Sequence, residues 1–207
     1  MPRAMETRLY LVRHGETDWN RGRRLQGTID VPLNSTGVAQ ARRLTAYFSR
    51  IRVASIVSSP LARASTTAAI VAEACACPLA TDARLREIDH GSWSGRTLRD
   101  IARGVPSLVR DERLLPEAFA ISRGEPLSAV YRRASEALAD LLHAHAGQSV
   151  VVAGHGVTLA AMWCAAAGLE MARLHECQPR NAGGVLLTFS QRQLVDVQAM
   201  AVAEIVA

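Results

Sequence analysis

The stretch LYLVRHGET, residues 9–17, joins a short apolar run of strand type to a polar turn that contains a glycine. Runs of the same kind occur at residues 54–57 and 149–153, and each leads through a turn into a helical pattern. β-Rich runs that alternate with helical patterns are typical of parallel sheets covered by helices. The sequence therefore predicts an α/β fold of three layers, with helices on both sides of a mostly parallel central sheet.

Helical patterns follow the first two strands. One begins near Ser35 or Thr36. The next follows Ser59-Pro60, a pair typical of an N-cap and a proline at the first helical position. This pair predicts a helix over residues 61–74. Arg63 would then lie in the opening turn of this helix, beside the carboxyl end of a strand.

The second half of the chain continues the alternation. A third helix is predicted over residues 127–146, because Gly147 suits the position that ends a helix, and a fourth begins just after Gly156. Residues 185–189 and 194–200 predict two closing strands. We therefore expect one antiparallel edge strand in the sheet.

Length and composition indicate a single domain. The chain has 207 residues, of which 49% are hydrophobic and 21% charged, as in ordinary globular domains with one buried core. We expect one domain over residues 1–207. Between residues 94 and 126 the periodic pattern weakens, and this predicts an insertion or lid over the site.

Charge and hydropathy argue against nucleic acid and membrane as partners. The formal net charge is +5, and all 24 basic residues are arginines dispersed along the chain. Dispersed charge disfavours a nucleic-acid-binding arm. The first ten residues, MPRAMETRLY, lack the apolar core of a signal peptide, and the apolar stretch at residues 157–169 is too short to cross a bilayer. We expect a cytoplasmic protein.

The cysteines do not have the spacing of a metal site. They are Cys75, Cys77, Cys164 and Cys177. Structural zinc sites usually place two residues between paired cysteines and add a second pair, and neither feature is present. We interpret all four as reduced thiols and predict neither a metal nor a cofactor.

Two histidines follow predicted strands directly. His14 lies in the RHG of residues 13–15, and His155 lies in the GHG of residues 154–156. Ligands of open parallel sheets bind at the carboxyl ends of the strands, so the two histidines converge if their strands are neighbours. The glycine after each, Gly15 and Gly156, would let backbone amides approach an anion.

The residue types at this edge suit phosphoryl transfer. A neutral imidazole is a nucleophile near pH 7 when a hydrogen bond fixes its other nitrogen, and His14 meets this need better than the remaining histidines. Arg13 and Arg63 can bind two phosphoryl oxygens each and keep their charge. Both Glu87 and Asp89 precede a predicted turn at Gly91, and either carboxyl group could serve as the acid.

The chain resembles the histidine phosphatase superfamily, in the branch that contains cofactor-dependent phosphoglycerate mutases and small-molecule phosphatases. The resemblance spans nearly the whole chain. Its segments are LVRHGETDWN at residues 11–20, QGTIDVPLN at 26–34 followed by Gly37 and Gln40-Ala41, SPLARA at 59–64 with Thr67-Ala68, LREIDHGSW at 85–93, GE at 124–125 and GHG at 154–156. Six segments in this order form a specific signature, whereas RHG alone is a weak one.

The resemblance implies a role for each matching residue. His14 would be the phosphorylated nucleophile, Glu87 rather than Asp89 the general acid, and a small phosphorylated metabolite the ligand. Around the phosphoryl group it places Arg13, Arg63 and His155, with Gly15, Asn20, Gln26, Gly27 and the Gly156 amide completing the pocket. Water would then attack the phosphohistidine after deprotonation by Glu87.

Three functions remain open at this level. A phosphatase admits water to the phosphohistidine, whereas a mutase excludes it. Between residues 93 and 126 the chain lacks the adjacent arginines and the lysine with which phosphoglycerate mutases bind a carboxylate, although Arg99, Arg103, Arg110, Arg113 and Arg123 could replace them. A non-catalytic relative would be expected to have lost His14, Arg63, Glu87 or His155, and all four are present. We therefore predict a phosphatase, and leave open whether it is a homodimer.

Some polar residues are expected to have no role in the site. His143 and His145 stand two apart near a helix end and are predicted to lie on the surface, since this spacing does not place them on one helical face. Solvated helix faces are likewise expected for Arg42, Arg43, Arg132 and Arg133.

Overall fold

The computed structural model describes residues 5–110, 113–114 and 122–200. In these ranges, eight strands form a six-stranded sheet and a separate two-stranded pair. The strands are β1 (Glu6–Arg13), β2 (Ser55–Ser58), β3 (Leu79–Thr81), β4 (Val109–Arg110), β5 (Arg113–Leu114), β6 (Ser149–Gly154), β7 (Gly184–Ser190) and β8 (Gln193–Ala199).

The large sheet has the strand order β3-β2-β6-β1-β7-β8. The first four strands of this order are mutually parallel, β7 is antiparallel to β1, and β8 is antiparallel to β7. This confirms the predicted α/β class, the mostly parallel sheet and its antiparallel edge. The reversed strand is β7, and β8 completes that edge through a two-residue turn in which Gln191 and Arg192 have φ of 50° and 67°.

The α-helices of the described ranges are α1 (Asp18–Arg21), α2 (Ser35–Phe48), α3 (Ala62–Cys75), α4 (Leu98–Gly104), α5 (Leu127–Ala144) and α6 (Gly156–Ala167). Four of them, α2, α3, α5 and α6, cover the two faces of the sheet. Tyr10 and Val12 of β1 belong to the apolar cluster of α2 and α3, whereas Leu9 and Leu11 belong to that of α5 and α6. Successive side chains of a strand point to opposite faces, so the protein has the predicted three layers.

The sheet has a crevice where β1 and β6 end. The two strands are neighbours, yet the long helix after β1, α2, packs on one face while α6, which follows β6, packs on the other. The connections after these two paired strands therefore lead to opposite faces of the sheet. Open α/β sheets bind ligands at such a point, at the carboxyl ends of the strands.

Helix boundaries differ from the predicted ones in two places. The N-cap of α3 is Leu61 rather than Ser59, because the Ala62 amide donates to Asp30 Oδ1 at 2.7 Å and a distant carboxylate thus supplies the capping acceptor. The helix α5 ends at Ala144, two residues before the predicted end, and Gly147 with φ of 74° lies in the following turn.

The predicted lid at residues 94–126 is described only in part. Its described portion contains α4, the pair β4 and β5, and a 3₁₀ turn at Pro106–Leu108, whereas residues 111–112 and 115–121 lie outside the described ranges. The same holds for residues 1–4 and 201–207 of the predicted single domain. Both the lid and the domain boundaries remain predictions.

In the described ranges, no single helix has the length and hydropathy that a membrane crossing requires. Only α6 together with the 3₁₀ segment Met171–Cys177 reaches them, and these two are bent by 114°.

Candidate active site

The two predicted histidines meet at the crevice. In the β1–β6 pairing, Arg13 lies opposite Gly154, so His14 and His155 follow at the same level. Their ring centroids are 5.2 Å apart, and both side chains are buried. The predicted convergence is therefore confirmed.

One ring nitrogen of His14 has a fixed partner. Nδ1 lies 2.6 Å from the carbonyl oxygen of Gly15. Because a carbonyl only accepts hydrogen bonds, Nδ1 carries the proton and Nε2 keeps its lone pair. Burial, and then the charges of Arg13 and Arg63, hold the pKa of His14 well below its usual value. The imidazole is consequently neutral near pH 7, as a nucleophile requires.

The backbone around His14 is held by residues far away in sequence. Asn181 Nδ2 donates to the carbonyl oxygen of His14 at 3.1 Å and to Asn20 Oδ1 at 3.2 Å. Asn20 Oδ1 also accepts from the Thr17 amide at 3.1 Å, within the capping box of α1. Asn20 thus joins the loop that carries His14 to the segment before β7.

Gly15 has a different role from the predicted one. Its amide donates to Thr67 Oγ1 at 3.1 Å, so it does not face an anion. A Cβ atom on Gly15 would lie 2.4 Å from the carbonyl oxygen of Gly37. The glycine is therefore needed for close packing of the loop against the start of α2.

Arg63 is the largest fully buried side chain among the described residues. Nη2 donates to the Gly27 carbonyl oxygen at 2.7 Å and Nη1 to that of Ile29 at 2.8 Å. Within the described ranges, the buried Nε has no hydrogen-bond acceptor. Burial lowers the pKa of Arg63, and the negative charges of Glu87 and Asp30 oppose this shift.

Arg13 also lies on the cavity wall, next to His14 in the sequence. Its Nη1 donates to the carbonyl oxygen of Pro179 at 3.1 Å, and its buried Nε has no acceptor in the part of the chain that the structure describes. Burial lowers the pKa of Arg13, and the charge of Glu87 opposes this shift. A Cβ on Gly156 would lie 3.5 Å from Arg13 Cζ, so the first residue of α6 packs against the guanidinium.

His155 is completely buried next to Ser59. Its Nε2 lies 2.8 Å from Ser59 Oγ, and its Nδ1 has no partner among the described residues. Burial, followed by the charge of Arg63, holds the pKa of His155 well below its usual value. Ser59, predicted as a helix cap, contacts this histidine and also accepts from the Leu61 amide at 3.3 Å, just before α3 begins.

The carboxyl group of Glu87 lies at the amino end of α6. Oε1 accepts from the amides of Ile88 at 3.0 Å and Thr158 at 3.2 Å, and Oε2 accepts from that of Val157 at 3.3 Å. The amides of Val157 and Thr158, in the first turn of α6, therefore bind Glu87. The competing candidate, Asp89, accepts from the Gly91 amide at 2.8 Å within a turn.

A cavity of about 250 Å³ opens beside these groups. The predicted site residues on its wall are Arg13, His14, Asn20, Gln26, Gly27, Arg63, Glu87 and Gly156, whereas Gly15 and His155 do not line it. Asp89 does not contribute to the wall, which favours Glu87 as the acid. The wall also includes Arg24, His90, His175 and Gln178, together with apolar residues such as Leu98, Leu114 and Leu127.

Among the described residues, no group of three or more histidine, cysteine, aspartate or glutamate side chains could hold a metal ion.

The family model of the histidine phosphatase superfamily (branch 1) matches residues 9–200. The chain belongs to the histidine phosphatase superfamily. The chain is 35% identical to phosphoserine phosphatase 1 of Hydrogenobacter thermophilus, over 91% of this chain and 89% of that protein. It is also 34% identical to the probable phosphoglycerate mutase GpmB of Serratia proteamaculans, over 84% of this chain and 80% of that protein.

The fold of this histidine phosphatase is similar to that of a solved structure of YhfR from Bacillus stearothermophilus. The two share 33% sequence identity and a TM-score of 0.83, over 91% of this chain and 94% of that one. The layered sheet and its antiparallel edge are therefore those of the superfamily.

Several groups in the site of this histidine phosphatase were not predicted from the sequence. Asn181 and Thr158 contact Asn20 and Glu87 through hydrogen bonds, and no sequence pattern indicated them. Thr67 belongs to a segment of the family resemblance, but its hydrogen bond with the Gly15 amide was not predicted. The prediction for Arg133 was wrong: its side chain is only 17% exposed and pairs with Glu125. Its neighbour Arg132 is exposed, as predicted.

Proposed function

We propose that this protein is a phosphatase that hydrolyses small phosphomonoesters through a phosphohistidine on His14, with Glu87 as general acid and base and without a metal ion. The observation that carries the proposal is the state of His14. Its imidazole is neutral, Nδ1 is fixed by a carbonyl, and the ring faces a cavity whose wall also contains two arginines and a carboxyl group.

The first step transfers the phosphoryl group to the enzyme. Nε2 of His14 attacks phosphorus in line with the departing alcohol, and a carboxyl oxygen of Glu87 gives its proton to the oxygen that leaves. Arg13 and Arg63 line the cavity, and the buried Nε of each lacks an acceptor in the described structure. A phosphoryl group in the cavity supplies those acceptors, and the two charges stabilise its oxygens in the transition state.

The second step releases phosphate. Glu87, now a carboxylate, takes a proton from water as the water oxygen attacks phosphorus and the bond from phosphorus to Nε2 breaks. The electron pair returns to Nε2, so His14 is neutral again when phosphate dissociates. A single carboxyl group therefore serves both steps, since it ends the first in the form that the second needs.

Hydrolysis is favoured over mutase activity. The chain has no lysine, and no two adjacent arginines stand between residues 93 and 126 to bind the carboxylate of a phosphoglycerate. The similarity to a phosphoserine phosphatase covers more of the chain than that to the probable mutase. We therefore assign a small phosphorylated metabolite as substrate and water as the acceptor.

We also propose that the protein is cytoplasmic. All four cysteines are free thiols in the structure, which is typical of a reducing compartment. Cell fractionation with a tagged chain tests this assignment independently of activity.

The decisive experiment compares wild-type protein with His14→Ala after treatment with EDTA. Substrates are 4-nitrophenyl phosphate, a panel of sugar, nucleotide and amino-acid phosphates, and 3-phosphoglycerate. We expect release of phosphate by the wild type and its loss in His14→Ala, with His143→Ala, an exposed histidine, as the matched control.

Other outcomes contradict specific parts of the proposal. Hydrolysis that survives in His14→Ala excludes His14 as the nucleophile. Hydrolysis that EDTA abolishes excludes the metal-free mechanism. Isomerisation of 3-phosphoglycerate without release of phosphate supports the mutase instead.

A further inference from the structure

A half-buried ion pair lies next to the segment that carries Glu87. Arg133 of α5 donates from Nε to Glu125 Oε1 at 2.8 Å and from Nη2 to Glu125 Oε2 at 2.9 Å. The two side chains are 17% and 23% exposed. Two parallel hydrogen bonds to one carboxylate fix the plane of the guanidinium, so its remaining donors point in defined directions.

Those remaining donors bind the backbone just before Glu87. Nη1 of Arg133 donates to the carbonyl oxygens of Arg84 and Arg86, the latter at 2.6 Å. Nη2 also lies 3.5 Å from Thr158 Oγ1. A guanidinium has five N–H groups, and each of those on Arg133 has an acceptor here. Arg133 thus joins α5 to the 3₁₀ turn Ala83–Leu85 and to Arg86, the residue before Glu87.

Thr158 connects this network to the carboxyl group itself. Its hydroxyl donates to the Arg86 carbonyl oxygen at 2.6 Å, and its amide donates to Glu87 Oε1 at 3.2 Å. The distance from Thr158 Oγ1 to Glu87 Oε1 is 3.3 Å. Since the single hydroxyl proton is used on Arg86, Oγ1 offers Glu87 a lone pair, which can accept the proton of the acid form.

We propose that Arg133, anchored by Glu125, is a positioning residue for the general acid. By holding the Arg86 carbonyl and the Thr158 hydroxyl, it sets the place and orientation of the Glu87 carboxyl group at the cavity. It therefore acts on the step in which the proton passes from Glu87 to the bridging oxygen while the bond from that oxygen to phosphorus breaks. This inference rests on the proposed function.

The test uses two leaving groups that differ in their need for an acid. The ratio kcat/KM reports the steps up to phosphorylation of His14. The 4-nitrophenolate ion departs without a proton, whereas an alkoxide needs one from Glu87. We expect Arg133→Met to lower kcat/KM for glycerol phosphate or phosphoserine by about tenfold to hundredfold while leaving that for 4-nitrophenyl phosphate near the wild-type value.

The matched control is Arg132→Met, which removes the same charge from the exposed neighbouring position and is expected to change neither value. An equal loss with both substrates in Arg133→Met overturns the inference, because it indicates a general structural role. Absence of hydrolysis by the wild-type protein overturns instead the proposed function, and this inference with it.

Further variants keep the test decisive if Arg133→Met does not fold. Thr158→Val removes the hydroxyl and is expected to reduce activity on the alkyl phosphate selectively, whereas Thr158→Ser keeps the hydroxyl and restores it. Glu125→Gln removes the anchoring charge. It is expected to give a smaller loss of activity, again selective for the alkyl phosphate. A loss in Thr158→Val that is equal for both substrates contradicts the proposal.

Discussion

The guanidinium of Arg63 binds the carbonyl oxygen of Gly27 at 2.7 Å, which joins the start of α3 to a loop 36 residues earlier. Gly27 has a φ of 53°, a left-handed conformation that glycine adopts without strain. The same arginine holds Ile29 through its second terminal nitrogen. One buried side chain therefore both shapes the cavity wall and supplies positive charge to it.

Replacing this arginine by lysine is expected to abolish most activity. An ammonium group is a point charge, and it cannot bind the carbonyls of Gly27 and Ile29 while also facing the phosphoryl group. In Arg63→Lys we expect kcat/KM for 4-nitrophenyl phosphate to fall by about a hundredfold or more, as when a preorganised donor is lost from an oxyanion site. Arg42→Lys on the exposed face of α2 serves as control, and an Arg63→Lys enzyme with near wild-type kcat/KM contradicts this role.

Gly15 is expected to tolerate no side chain. An alanine Cβ would lie 2.4 Å from the Gly37 carbonyl oxygen and 2.9 Å from Gly37 Cα, and backbone atoms cannot move aside as a flexible side chain does. We expect Gly15→Ala to lower the free energy of unfolding by about 1–3 kcal/mol in urea titrations. Gly104→Ala is the matched control, because nothing lies within 4 Å of a Cβ there. Equal stability of the two variants would show that the loop is not tightly packed.

Asn181 is expected to support the nucleophile without contacting substrate. Asn181→Ala removes the donor to the His14 carbonyl oxygen and to Asn20 Oδ1, so the loop that carries the nucleophile loosens. We expect kcat to fall by about tenfold to hundredfold, since small displacements of reacting groups have effects of this size. Asn181→Asp keeps the shape but lacks the donor and should also lose activity. Wild-type kcat in both variants would exclude the supporting role.

Stability is expected to decrease below neutral pH. Burial is the first cause that lowers the pKa values of His14, His90 and His155. The unfolded chain then binds protons near the ordinary histidine pKa of about 6.5, whereas the folded chain does not. The free energy of unfolding is therefore at its full value above that pH. It decreases as the pH falls from there toward the lower pKa values that the histidines have in the folded state.

The measurement is urea unfolding at pH 7.5 and at pH 5. Within this range, each buried histidine lowers the free energy of unfolding by up to about 1.4 kcal/mol for each pH unit of acidification. Replacing the buried His90 by glutamine should reduce the pH dependence, whereas His143→Gln, at an exposed position, should leave it unchanged. A free energy of unfolding that is constant between the two pH values refutes the prediction.

Much of the site could be predicted because its parts are local. The RHG and GHG segments each combine a strand end, a histidine and a glycine within a few residues, and paired parallel strands bring such ends together. Glu87 was distinguished from Asp89 by resemblance alone, and of the two only Glu87 lies on the cavity wall. Gly15 was predicted beside the phosphoryl group, and its amide donates to Thr67 Oγ1, an acceptor 52 residues away in the sequence.

The sequence by itself determined the layered fold, the strand ends and the residues with the chemistry of phosphoryl transfer. Only the tertiary structure decided which polar side chains support them. Arg132 and Arg133 are adjacent and chemically identical, yet one is exposed and the other binds Glu125 and the segment before Glu87. Successive residues of a helix point about 100° apart, so the packing of α5 against distant segments, and no local pattern, separates the two.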